Sequence, residues 1–99
     1  MGIDEALDII SKIETMLLLG DWHARETMVT ALALLLRLRN APGPKEVIRW
    51  KVLNLENWVQ SLFRKHESPA TKEKIKGTIL AECQSLKHII SYPVHALKS

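Results

Sequence analysis

Apolar residues recur at helical spacing in four successive stretches of this chain, and nowhere do they alternate with polar residues as a half-buried strand requires. That pattern confines the fold to the all-α class. In the first stretch, Ile3, Ala6, Leu7, Ile10, Ile13 and Leu17 fall within about 120° of the helical wheel, which predicts an amphipathic helix over about residues 3–19. Gly20 then suits the position after its end, and Asp21 suits the N-cap of a second helix over about 22–38.

The second helix is apolar over well over half its circumference. Val29, Leu32, Leu34, Leu35, Leu36 and Leu38 leave only a narrow polar strip at Glu26, Thr30 and Arg37. Such a helix is expected in a central place, packed on several neighbours. Ala41, Pro42, Gly43 and Pro44 follow, and two prolines with a glycine cannot continue a helix, so the chain reverses there. The third helix, about 45–65, carries Ile48, Val52, Leu55, Val59 and Leu62 on one narrow stripe. Ser68 and Pro69 read as N-cap and first residue of a fourth helix, about 69–91, with Ile75, Ile79, Cys83, Leu86 and Ile90 inward. Pro93 is expected to stop it, leaving a short tail over 92–99.

Four helices joined by short loops pack most readily as an antiparallel up-down bundle. With 99 residues, 46% of them hydrophobic and 25% charged, the chain fits one domain with one core and is too short for two. Trp22 is expected to close one end of the bundle.

The net charge of +3 is unevenly spread. Residues 1–26 hold six acids and two bases, whereas 27–99 hold five acids and twelve bases. An acidic first helix therefore lies against a basic remainder, and part of the excess is expected to be neutralised inside the fold.

Sites of catalysis and metal binding find little support. Cys83, the single cysteine, sits on a buried stripe, where a thiol behaves as a small hydrophobe, and one cysteine fits a reducing intracellular compartment better than a secreted disulfide framework. His23, His66, His88 and His95 show no i, i+3 or i, i+4 pair, the spacing that sets two ligands on one helical face. No glycine-rich phosphate loop or nucleophile elbow is present. The expectation is a non-enzyme with no cofactor, no metal and no small-molecule substrate. The longest apolar run, six residues over 31–36, falls far short of a membrane span, and the acidic start lacks the basic region of a signal peptide. Gly2 alone does not make an acylation site, because Ala6 stands where a hydroxyl is needed.

What remains are surfaces. On the third helix, Trp50 and Leu53 point about 140–160° away from the buried stripe. Their neighbours on that outer face include Arg49, Asn57 and Arg64, giving a small apolar centre with a polar rim. Either helix 1 or the tail covers this face, or it meets a protein partner or a second copy of the chain. Trp58 and Val47 lie at the stripe's edge and are expected in the core. Basic residues gather at two places: Arg37, Arg39, Lys45, Arg49 and Lys51 near the proline turn, and Arg64, Lys65, Lys72, Lys74 and Lys76 near the last reversal. The reading favoured is a protein-interaction module acting through the outer face of helix 3. The alternative is a small nucleic-acid-binding or nucleoprotein-assembly protein using the two basic clusters to contact phosphates.

Overall fold

The computed structural model describes residues 1–20, 24–64 and 68–98, with the backbone alone over 92–98. It contains four α-helices: α1 (Ile3–Leu19), α2 (Arg25–Leu38), α3 (Lys45–Leu62) and α4 (Pro69–Lys98). Among the described residues, α1 packs on α2 and α4, α3 packs on α2 and α4, and the backbones of the diagonal pairs do not approach closely. The arrangement is a four-helix bundle with each helix in a corner. Contacts fix the antiparallel sense: Arg37, late in α2, reaches Glu5, early in α1; Leu36, late in α2, lies by Arg49, early in α3; and Leu17 and Leu18, late in α1, lie by Glu73 and Gly77, early in α4.

The core runs the length of this square. Ile9, Ile10, Ile13 and Leu17 of α1 meet Ala31, Leu35 and Leu38 of α2, the whole predicted stripe of α3, and Ile75, Ile79, Cys83, Leu86 and Ile90 of α4. No polar or charged side chain is buried among the described residues.

Helix ends follow from local chemistry, with some departures from the expected boundaries. Asp4 and Glu5 place negative charge in the first turn of α1, where the helix dipole favours it. Gly20 closes that helix in an extended conformation rather than a left-handed one. A Cβ there would lie 2.4 Å from the Met16 carbonyl oxygen, which already accepts the Gly20 N–H at 2.7 Å. Close approach, not backbone handedness, is what requires glycine at this position.

The second helix starts at Arg25, later than expected, with extended Ala24 as its N-cap. Asp21 and Trp22, expected to cap and close this end, lie outside the described residues. In the proline turn Gly43 has φ +132°, a conformation open to glycine and strained for other residues. The third helix ends at Leu62, three residues early. There Phe63 and Arg64 donate to the carbonyls of Gln60 and Ser61, and these tighter i→i−3 bonds unwind the α-helical register.

Ser68 caps α4 as expected, its hydroxyl accepting the Thr71 N–H at 3.2 Å. Pro93, however, does not stop this helix, which continues to Lys98. Proline removes one N–H and crowds the carbonyl four residues earlier, yet the backbone on both sides stays helical. At 1.5 Å per residue the 30 residues of α4 span about 45 Å, matching the molecule's longest extent of 46 Å. The other three helices, at 14–18 residues, are only about 21–27 Å long.

Candidate functional site

The outer face of α3 is uncovered. Trp50 is 67% exposed and Leu53 45% exposed. Of the two covers considered, α1 sits across the bundle against α2 and α4, and the segment after Ile90 prolongs α4 instead of folding back as a tail. The same helix therefore carries two apolar faces: the five-residue stripe that enters the core and a smaller one that meets solvent.

The exposed face is wider than the wheel of α3 indicates. Trp58 and Val47, expected in the core, are both exposed, Trp58 by 39%. They stand on the flank toward α4, where Lys51 and Glu82 pair across the helices at 3.1 Å. With Ile48, Val52, Leu55, Val59 and Leu62 already filling the interior, the interior has no room for side chains at the stripe's edge.

A second correction concerns α2. Its broad apolar arc predicts a central helix, but α2 occupies a corner with two neighbours, α1 and α3. Two neighbours bury only Ala31, Leu35 and Leu38 fully. Val29 and Leu36 are left 54% and 57% exposed. Leu36 and Leu53 line one open groove between α2 and α3, with a volume of about 540 Å³, together with Arg39, Asn40 and Arg49. Leu36 is the site residue that the one-helix reading misses. Its signal is in the sequence, as an apolar arc too wide for a corner helix to bury.

Among the residues expected to rim the face, Arg49, Asn57 and Arg64 are exposed. Neither Arg49 nor Arg64 has an ion-pair partner among the described residues. Arg39 is engaged differently. Its Nε and Nη2 donate to Glu56 of α3 at 2.8–3.1 Å, a two-pronged contact that clasps the lower end of the α2/α3 seam.

The two basic clusters stand at opposite ends of the bundle and are partly neutralised. Near the proline turn, Arg37 pairs with Glu5, Arg39 with Glu56 and Lys51 with Glu82, leaving Lys45 and Arg49 without an ion pair among the described residues. At the other end, Lys76 pairs with Glu73 within α4, and Lys72 and Lys74 have no ion-pair partner among the described residues. Lys65 lies outside the described residues. The expected neutralisation of α1 by the basic body is present in two contacts, Glu5 with Arg37 and Glu14 with Lys87, and Gln84 also donates to Glu14 at 2.8 Å.

Cys83 is fully buried on the α4 stripe, as its position predicts. Burial pushes its thiol up to about 12, and the nearby Glu14 carboxylate adds to the effect, so the sulfur stays protonated and unreactive in the fold. Among the described residues no three His, Cys, Asp or Glu side chains come together as a metal site, and no helix is long and apolar enough to cross a membrane. His23 and His66 lie outside the described residues, as does the side chain of His95.

Comparison with known proteins adds no second line of inference: no protein-family model, no curated protein and no solved structure matches this chain.

Proposed function

We propose that this chain is a non-catalytic helical docking module, an adaptor, regulator, inhibitor or assembly subunit, that binds a protein partner or a second copy of itself through the outer face of α3 and the adjoining groove with α2. The observation that carries this reading is the exposure of Trp50 and Leu53 beside Leu36, on helices whose core positions are already filled. Single exposed apolar residues are ordinary on protein surfaces, but a clustered set with a tryptophan and a charged rim has the composition of an interface centre. We further read the module as intracellular, since its lone cysteine needs no oxidising compartment.

The nucleic-acid reading draws less support. Binding a phosphate backbone wants free cations in a continuous track. Here Arg37, Arg39, Lys51 and Lys76 already serve carboxylates of the same chain, and the remaining bases are divided between two ends.

The test is a photo-crosslinking residue at position 50 in the full chain, compared with the same residue at position 11 on the exposed side of α1. A discrete adduct, with one partner species or with a second copy, is expected from position 50 only, and Leu53→Asp is expected to abolish it. Equal or absent crosslinking from both positions would remove the α3 face as a docking site.

A further inference from the structure

The α2/α3 groove carries a charge pattern that narrows the choice of partner, an argument that rests on reading this face as a docking surface. Along α2, Arg25, Val29, Leu32, Leu36 and Arg39 succeed one another at spacings of four and three, so they form one stripe, whose Leu36 and Arg39 line the groove with α3. Across the groove, Leu53 stands opposite Leu36 with Arg49 beside it. Because the helices are antiparallel, Arg64 lies at the same end as Arg25, and Arg49 at the same end as Arg39. An apolar floor is thus bracketed at both ends by arginines.

Carboxylates on this side offset them only in part. Glu56 is occupied by Arg39, which leaves Glu26, beside Arg25, and Glu46 against Arg25, Arg49 and Arg64, none of which has an ion-pair partner among the described residues. We propose that the groove receives an amphipathic helix from a partner protein, with an apolar stripe that seats on Leu36 and Leu53 and acidic residues that meet the flanking arginines. Arg49 and Arg64, neither of them ion-paired among the described residues, are fifteen residues and so about 22 Å apart along α3 and its last turn, and a partner helix of about 14 residues spans the bracket. It would present anchors at i, i+3 or i+4, and i+7.

Charge argues against one of the two other occupants, and shape against the second. A two-fold dimer sets the same patch against itself, so the arginine brackets would face arginine brackets, in parallel or antiparallel register alike, with Glu26 and Glu46 to offset them only in part. An anionic bilayer requires apolar side chains that project from a convex ridge, whereas Leu36 and Leu53 line a concavity.

The experiment uses the full chain, isotopically labelled, and three synthetic 14-residue helical peptides that share one leucine stripe and differ only in having glutamate, glutamine or lysine at the flanking positions. The glutamate peptide is expected to shift the amides of Leu36, Arg49 and Leu53, and to bind about tenfold tighter than the glutamine peptide and about a hundredfold tighter than the lysine one at low salt. Leu53→Asp should abolish this binding. Arg49→Glu, an exposed change that leaves the melting curve in place, should reverse the preference toward the lysine peptide. Equal affinity of the glutamate and glutamine peptides in the groove would overturn the acidic partner and leave the docking face standing. A concentration-dependent dimer that protects the same amides would do likewise, with a second copy as the occupant. Binding of phosphatidylserine vesicles through these amides without any peptide shift would overturn the proposal in favour of a lipid surface. Peptide shifts confined to the bundle ends and unaffected by Leu53→Asp, or no peptide shift up to about 1 mM, would overturn it outright.

Discussion

The bundle has two seams of opposite character built on the same core. Between α1 and α4, Glu14 accepts from Lys87 and Gln84, so a polar lid closes over buried Ile10, Ile13 and Cys83. Between α2 and α3, the Arg39–Glu56 clasp closes one end only, and Leu36, Leu53, Val29 and Trp50 remain in solvent. Among the described side chains of α1 and α4, Leu18 and Leu19 in the last turn of α1 are the exposed large apolar residues. A seam that served stability alone would resemble the first. The second leaves apolar surface at a place where polar residues would cost the fold nothing, which is the physical content of assigning it to a partner.

The largest test of that contrast is to truncate leucines two residues apart on α3. Leu55 is fully buried, so Leu55→Ala should cost about 2–5 kcal/mol of unfolding free energy, combining lost burial with a residual cavity. Leu53→Ala should change stability by about 0.5 kcal/mol or less. Urea titrations of the two variants check both values. Comparable losses would mean that Leu53 is part of the core in solution and that the open seam is closed.

How much of this contrast is legible in the sequence depends on which physical quantity decides it. The helical class, the α1 stripe, the Ser68 cap and the core positions of α3 and α4 follow from a period of 3.6, which a single strand of text preserves. Trp50 and Leu53 are legible for the same reason, as apolar residues off the stripe. Val29 and Leu36 are not, because the wheel of α2 gives the width of an apolar arc and not the number of helices available to cover it. Trp58 is hidden by the complementary ambiguity, since an edge position is buried or exposed according to how closely α4 approaches. Pro93 misleads because a missing N–H is a local penalty, whereas continuation of α4 is decided over the whole helix.

The closed seam can be probed through pH. The Cys83 thiol ordinarily ionises near 9.0 and is held up to about 12 in the fold, mainly by burial and then by Glu14. A raised thiol value means that the folded state binds the proton more tightly than the unfolded one. Its contribution is therefore fully present below about pH 9 and is lost as pH rises from 9 toward 12. Urea midpoints measured between pH 8 and 10.5 should fall more steeply for the native chain than for Cys83→Val, which has no proton to lose. Identical slopes would show that the sulfur is not enclosed by the α1/α4 seam.

A smaller effect of opposite sign is expected one turn away from this seam's end. Gly77 lies beside Leu17, Leu18 and Leu80, and a Cβ there meets nothing within 4 Å. Gly77→Ala should raise stability by up to about 1 kcal/mol through helix propensity alone, read as a higher thermal midpoint. A loss of stability would mean that α1 and α4 approach more closely there in solution.

The smallest expected effects separate the two polar clasps. Glu14 and Glu56 are nearly equally shielded, with side chains 13% and 14% exposed. Their partners differ in kind: Glu14 holds a lysine and an amide on one helix, and Glu56 holds one arginine through two prongs. Replacing either carboxylate by the neutral amide keeps the shape and removes the charge, so each of Glu14→Gln and Glu56→Gln should cost roughly 0.5–1 kcal/mol in low salt and less in high salt. The distinction should appear at the surface rather than in the melting curve. Glu56→Gln releases the Arg39 guanidinium into the open groove, adding a free cation to the arginine bracket, and should tighten binding of an acidic helical peptide. Glu14→Gln, on the closed seam, should leave that affinity unchanged. If both substitutions altered peptide affinity alike, the groove between α2 and α3 would have no privileged role, and the difference between the seams would be one of packing only.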